Sequence, residues 1–363
     1  MKIVLLGQWT YPEQKPRAQR TWQLGVQLAR EGHDVTLYAL LGPGSDYTSI
    51  ENSCGLKVRN LGFSKNGLTD SEGHRKKRLF SSIVKNILNE YEVFPGCDFK
   101  PMVRNVLAQE GPIDLLVSIA SPHAIHWAVA DCIDRAKVGT WVADCGDPFM
   151  FNPFIKPYGW LAKVEKRWCS RCDYITVPLE AARNSYYPEF SEKIKVIPQG
   201  FDFHEVELPT YVRNKVPTFV FSGRAYAGLR DPGKFLDYLS TSGKEFLFRV
   251  FTNSPELFPC DAMPGKMDVK GFIQRTELLK ELARADFLVN ITNPSSVQSP
   301  SKLIDYGLSG RPVLDISSGF TEEEKGNFEA FLDGDYSSAH RIPDMSSYDI
   351  VNVAKAFTDL TKR

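Results

Sequence analysis

Lys302 and Asp305 stand three residues apart in SPSKLIDYGLSGRPVLDI, the stretch from Ser299 to Ile316. That spacing puts both side chains on one face of a helix. A polar turn with Ser299, Pro300 and Ser301 opens the helix, and Gly307 and Gly310 close it before a strand at Pro312–Ile316. Helix N-termini attract phosphate through free N–H groups and the positive end of the dipole. A first-turn lysine adds charge, and a carboxylate one turn on can accept hydrogen bonds from a ribose diol. Chemically this outlines a nucleotide-diphosphate site. The competing reading is a surface helix whose Lys302 and Asp305 are simply solvated.

Other chemistry-bearing residues fall at strand ends. Ser222-Gly223-Arg224 closes a strand at Thr218–Ser222, and Arg230 follows six residues later. Glycine permits close backbone approach, and two arginines there could clamp a diphosphate. Gly271-Phe272 follows a short strand and could meet a base. Towards the N-terminus, Gly7 and the loop after it follow the first strand. Arg17 and Arg20 flank the next helix start, where they meet a phosphate or are surface charge. His123, after Ser121-Pro122, ends another strand and is placed to donate to a substrate hydroxyl. Asp144 and Asp147, separated by Cys145-Gly146 and followed by Pro148, offer two carboxylates for acceptor binding or base chemistry; turn formation is the alternative.

These residues need a scaffold. The first run, Lys2–Leu6, is apolar and ends at Gly7; helical periodicity over Ala18–Arg30 follows, then a strand at Val35–Leu40. This β-α-β unit implies a parallel sheet with a right-handed crossover. Strands at Ile113–Ala120, Gly139–Ala143, Tyr174–Val177 and Lys195–Pro198 continue the first series. Thr218–Ser222, Phe246–Phe251, Asp268–Lys270, Phe287–Asn290 and Pro312–Ile316 form a second, alternating with helices near Asp231–Thr241, Arg275–Arg284 and Ser301–Leu308. The expected fold class is therefore α/β, two doubly wound parallel-sheet domains in tandem. They are placed at 1–205 and 206–344, joined through the charged stretch Phe201–Lys215, with a helix over 345–363 packing back on the first domain. Ligands of such sheets bind beyond the carboxyl ends of the strands, so the expected site is a cleft between the two sheets.

Composition excludes several classes. At 42% hydrophobic and 24% charged residues with zero net charge, the chain is globular in composition and has no global drive towards nucleic acid. No apolar run reaches the roughly 18 residues of a membrane span. The first loop lacks a GxGxxG or GxxxxGK pattern, so a dinucleotide or Walker site is not supported. Seven scattered cysteines point to reduced thiols and a cytoplasmic setting. Trp168-Cys169-Ser170-Arg171-Cys172 has a thioredoxin-like spacing, yet it ends a helix and leads into a strand, the reverse of the redox context. No second cysteine pair or nearby histidine pair completes a zinc site around it. The basic cluster His74–Arg78, with Arg75-Lys76-Lys77-Arg78 ahead of an amphipathic stretch, could place the protein peripherally on an anionic membrane surface or could be a solvated helix face.

Taken in order, these features resemble the retaining glycosyltransferases of family 4, which have the GT-B fold of two facing Rossmann-like domains. The resemblance is carried by Arg20 through Glu31-Gly32-His33-Asp34-Val35, by Val196-Ile197-Pro198-Gln199-Gly200-Phe201-Asp202, and by Ser222-Gly223-Arg224 with Arg230. It extends to Val269-Lys270-Gly271-Phe272, to Ser301-Lys302-Leu303-Ile304-Asp305-Tyr306 with Gly310-Arg311-Pro312-Val313, and to Ala143-Asp144-Cys145-Gly146-Asp147-Pro148. The resemblance implies a donor site at Gly223, Arg224, Arg230, Phe272, Ser299, Ser301, Lys302, Leu303 and Asp305. It implies acceptor-side groups at Gly7, Arg20 and Asp144, with His123 and Asp147 as catalytic candidates. A sugar would pass from a nucleotide-sugar to a hydroxyl of a glycan or lipid-linked acceptor, the donor phosphate assisting as base, with no metal or other cofactor required. Bacterial surface-polysaccharide assembly is the expected setting. The chain departs from the family pattern at Val297, where the family has glutamate; at Asp305, where it has another; at Gly146, where one branch has arginine; and in its first loop. Two rivals follow: a GT-B binding or scaffolding subunit without catalysis, and a nucleotide-sugar epimerase.

Overall fold

Every strand among the described residues runs parallel to its neighbours, in two separate sheets. The computed structural model describes residues 1–13, 15–62, 93–152, 157–203, 206–292, 302–342 and 344–362. It divides into one unit of Met1–Asp202 with Ser347–Arg363, and a second of Phe203–Ser346.

In the first unit, β1 (Lys2–Gly7), β2 (Asp34–Ala39), β3 (Lys57–Asn60), β4 (Ile113–Ile119), β5 (Val138–Asp144), β6 (Tyr174–Val177) and β7 (Ile194–Val196) lie in the order β3-β2-β1-β4-β5-β6-β7. The order reverses between β1 and β4, the switch point where such sheets open a crevice at their carboxyl edge. Two faces are covered. The helices α1 (Pro16–Arg30) and α2 (Thr48–Cys54) pack on one face. The other carries α3 (Val93–Gln109), α4 (Ala124–Cys132) and α5 (Leu161–Arg171).

The period of two along β5 decides which face each residue serves. Trp141 and Ala143 enter the core under α4, as does Cys145 just past the strand, whereas Val142 joins the core under α1. Asp144 therefore points towards α1 and Cys145 towards α4.

In the second unit, β8 (Thr218–Ser222), β9 (Leu247–Phe251), β10 (Met267–Lys270), β11 (Phe287–Ile291) and β12 (Val313–Ile316) lie in the order β10-β9-β8-β11-β12. Among the described residues, α6 (Gly233–Thr241), α7 (Arg275–Arg284), α8 (Lys302–Ser309) and α9 (Glu322–Asp333) alternate with them. One face is unusually aromatic. Phe219 stacks on Phe248 and Phe287, with Phe328 edge-on to it and Phe235 edge-on to Phe328.

Asp286 gathers the charged stretch before β8: its carboxylate accepts from the Tyr211 hydroxyl, the Asn214 side-chain amide and the Thr218 backbone N–H, with Tyr211 and Thr218 at 2.7 Å. The last helix, α10 (Ile350–Asp359), belongs to the first unit and seals the α1 face with Ile350, Val353, Ala354 and Phe357. Among the described residues no helix is long and apolar enough to cross a membrane. The six cysteines whose side chains are described form no disulfide. The basic cluster at 74–78 lies outside the described residues.

Candidate functional site

At the carboxyl edge of the first sheet, Gly7, Ile119 and Asp144 stand abreast on β1, β4 and β5. Gly7 is buried, and a Cβ there would sit 3.0 Å from the Thr21 hydroxyl, so its lack of a side chain lets α1 approach the strand. Asp144 is buried and accepts from three side chains. The Arg20 Nε and Nη2 reach its two oxygens at 3.2 and 2.9 Å, the Arg17 Nη1 reaches one at 3.0 Å, and the Thr176 hydroxyl donates at 2.7 Å. Burial alone would raise the Asp144 pKa, but the two guanidiniums hold it below the usual carboxylate range.

This corrects the reading of Arg20 and Asp144 as acceptor-side groups. Arg20 is only 1% exposed. Besides Asp144 it donates to the carbonyls of Ile197 and Pro198, and its guanidinium lies over the Phe357 ring of α10. It is neither a phosphate ligand nor surface charge, but the knot tying α1, β5, the 197–198 segment and α10 together.

Arg17 differs. Its side chain keeps 16% exposure, and besides sharing Asp144 with Arg20 it feels the charge of Asp147. Its guanidinium lies against Gly146, where a Cβ would stand 2.8 Å from Nε. Asp147 is exposed beside it. Sequence reasoning treated Gly146 as a missing arginine; in space, Arg17 of α1 takes up the room above it.

His123 is likewise corrected. It is buried rather than open to a ligand, its ring 5.3 Å from Phe149 and 5.7 Å from His126. Burial pushes its pKa down to about 4, against the opposing pull of a hydrogen bond to the Asp147 backbone. His123 is thus a neutral group that steadies the loop carrying Asp147.

In the second unit the candidate residues lie past the carboxyl ends of β8 and β10 and on α8. Gly223 follows β8 with a φ of 126°, and its N–H bonds the Phe251 carbonyl. Arg224 is exposed, its guanidinium 5.3 Å from the Tyr226 ring. An antiparallel bridge, Tyr226 to Arg230, turns the chain back, so the two arginines flank one tyrosine. The Arg230 Nε is buried without a partner among the described residues. Phe272, after β10, is 69% exposed. Ser299 and Ser301 lie outside the described residues.

The helix α8 opens at Lys302 and is pinned by Tyr306. The buried Tyr306 hydroxyl accepts from the Ser222 N–H at 2.8 Å and donates to the Val289 carbonyl at 3.0 Å. Leu303 packs half-buried against the core on the same side. Asp305 is not the free carboxylate the spacing suggested: Arg275, at the start of α7, donates to its Oδ1 from Nε at 2.9 Å. Burial raises the Asp305 pKa and Arg275 opposes that rise. No sequence signal pairs Arg275 with a residue 30 positions away in another helix.

Comparison with known proteins rests on structure alone, since no family model and no curated protein match the chain. The lipopolysaccharide outer core galactosyltransferase WaaB, in its apo form, superposes with a TM-score of 0.59 at 12% identity over 99% of each chain. A mutant S. aureus TarM in complex with fondaparinux, α-GlcNAc-glycerol and UDP gives 0.60 at 9% identity over 100% of each. The chain has the GT-B fold. That fold alone does not name the reaction: UDP-GlcNAc 2-epimerase from Methanocaldococcus jannaschii aligns over 99% of this chain and 100% of its own, with a TM-score of 0.52 and 12% identity.

Proposed function

We propose that this GT-B protein is a retaining glycosyltransferase that moves a sugar from a nucleotide-sugar to a hydroxyl of a glycan or lipid-linked acceptor. What supports this reading is the carboxyl edge of the second sheet, which carries the Arg224–Tyr226–Arg230 turn after β8, exposed Phe272 after β10, and α8 tied to β8 by Tyr306. Negative charge develops on the leaving diphosphate, and preorganised cations placed there stabilise the transition state. Arg224, Arg230 and Lys302 supply those cations, so no metal is needed for that task. Phe272 offers a face to the base. Asp305, held through Oδ1 by Arg275, presents its other oxygen to the ribose, and Ser299 and Ser301 remain candidate phosphate ligands.

On the acceptor side the roles shift from Arg20 and Asp144 to Arg17 and Asp147. Arg17 keeps part of its guanidinium exposed, and Asp147 is the exposed carboxylate beside it. His123 positions Asp147 through its backbone. Asp147 accepts the hydrogen bond of the incoming hydroxyl, and the donor phosphate takes its proton. We place the protein in the cytoplasm, with Arg75–Arg78 drawing it to anionic lipid; co-sedimentation with phosphatidylserine vesicles should be lost when those four residues are neutralised.

The test is a thermal-shift panel of nucleoside diphosphates followed by donor turnover. A diphosphate should stabilise the protein, and Lys302→Ala should weaken diphosphate binding far more than nucleoside binding. Asp147→Ala should abolish transfer while leaving that stabilisation intact. Absence of any diphosphate response would sink the reading. Conversion of a nucleotide-sugar to its epimer, with no transfer to any acceptor, would establish the epimerase instead.

A further inference from the structure

Away from the edge groups just described, the α4 face of the first sheet buries His123, His126 and Cys145 together, with one donor atom from each within 4.8 Å of the others. We propose that these three residues bind a single zinc ion that staples the start of α4 to the end of β5.

The local sequence sets up the cluster. His123 and His126 lie three residues apart at the start of α4, on one face of the helix. The period of two along β5 sends Cys145 to that same face. The His126 Nε2 and the Cys145 Sγ are 3.5 Å apart. With zinc–nitrogen bonds of about 2.0–2.1 Å and zinc–sulfur bonds of about 2.3 Å, tetrahedral ligands stand about 3.5 Å apart, so this edge is already in place.

Each histidine has the partner a ligand needs on its far nitrogen. The His126 Nδ1 lies 2.8 Å from the Ser118 hydroxyl, which also accepts from the Trp141 indole at 2.9 Å. The His123 ring bonds the Asp147 backbone, and its Nδ1 is buried with no partner among the described residues. A plain hydrogen-bond relay accounts for His126 and Cys145 but leaves that nitrogen's lone pair unsatisfied, which is costly in an interior. A metal ion accounts for all three.

One thiolate and two imidazoles suit zinc and not magnesium or calcium, which take oxygen. The Tyr186 hydroxyl borders Cys145 and can donate to its sulfur. On binding, the Cys145 thiol releases its proton to solvent. His126 moves its proton from Nε2 to Nδ1, where Ser118 accepts it, and the two ring nitrogens and the sulfur each give a lone pair to the ion. The zinc would lock the His123 ring, and through it the Asp147 backbone. It is structural and does not depend on the glycosyl-transfer reading.

The full chain should be expressed with cobalt(II), a spectroscopic stand-in for zinc supplied during folding because the site is buried. We expect one cobalt per chain, a thiolate-to-cobalt charge-transfer band and the visible bands of a tetrahedral ion, all displaced by zinc. Cys145→Ser should remove the charge-transfer band, while Cys260→Ser, at an exposed thiol, should leave it unchanged. His123→Asn should lose most of the bound cobalt, and it serves as the second test if Cys145→Ser does not fold. A folded wild type without the band, or a band that survives in Cys145→Ser or His123→Asn, overturns the proposal.

Discussion

Arg17 and Arg20 are three residues apart on one helix and touch the same carboxylate, yet the structure gives them opposite work. Without Arg20, Asp144 keeps Arg17 and Thr176, but a fully buried member of the ion-pair network is gone and the Ile197 and Pro198 carbonyls lose their donor, a kind of loss that costs about 3–5 kcal/mol. Arg20→Ala should therefore lower the stability of the first unit by about that amount in urea titration, and Arg20→Lys should recover little, because a lysine cannot repeat the two-pronged contact with Asp144. Arg17→Ala leaves Asp144 bound to Arg20 and Thr176, so it should cost about 1 kcal/mol or less while impairing turnover. Equal destabilisation by both would contradict this division. Both arginines were legible as flanking a helix start; their difference depends on Asp144, Ile197 and Pro198, more than a hundred positions away, which no local pattern reveals. Glu165 on α5 makes a second prediction. It is fully buried, its Oε2 has no partner among the described residues, and burial pushes its pKa up to about 7. A carboxyl raised above its unfolded value near 4.5 is bound to a proton in the folded state and not in the unfolded state between those two pH values. Stability should therefore fall by about 3 kcal/mol as pH rises from about 4.5 to 7 and change no further from this group above that. Glu165→Gln should remove that slope: unfolding curves of variant and wild type should coincide near pH 4.5 and separate at pH 8, with the variant the more stable.

At the scale of elements, α8 illustrates how a short helix of eight residues is held to serve a site. A helix this short has little stability of its own in water, so tertiary anchoring decides it. Tyr306 supplies the anchor by satisfying the Ser222 N–H at the end of β8, the same strand that leads into Gly223 and Arg224. Tyr306→Phe keeps the ring and leaves that buried N–H without its acceptor, which should cost about 1–3 kcal/mol. The same change should weaken nucleoside-diphosphate binding, because the start of α8 and the Gly223–Arg224 turn lose their common tie. Thermal melts with and without diphosphate would separate the two effects, and an unchanged ligand-induced shift would deny the anchor a role in binding. Strands were legible because apolar runs end in turn residues: Thr218–Ser222 and Tyr174–Val177 coincide with β8 and β6. The helix α9 was passed over although its start carries a local signal, since Thr321 and Glu324 form a reciprocal capping box. The Arg275–Asp305 pair and the His123–His126–Cys145 cluster were not legible, because each joins different elements and depends on which way two helices or a helix and a strand face.

Across the whole molecule, the chain builds its first unit from both of its ends, and α10 is the piece that returns. Ile350, Val353 and Phe357 are buried against α1, and Phe357 also covers the Arg20 guanidinium. A Cβ on Gly200 would stand 2.5 Å from the Ile350 side chain, so the segment after β7 was shaped to let α10 come close. Burying three such side chains contributes about 1.5–3 kcal/mol each, comparable in sum with the roughly 5–15 kcal/mol that keeps a domain folded. The second unit has its own aromatic core drawn from residues 203–346. Truncation after Ser346 should therefore unfold one unit and spare the other. Tryptophan distribution makes this measurable, because all six tryptophans lie between Trp9 and Trp168 and report the first unit alone. In the truncated chain the tryptophan fluorescence transition should drop sharply in temperature or lose its cooperativity. A circular-dichroism transition from the second unit should persist, and nucleoside diphosphate should still raise it. A tryptophan transition unmoved by the truncation would show that α10 is dispensable, and a loss of both transitions would show that the second core does not stand without the first.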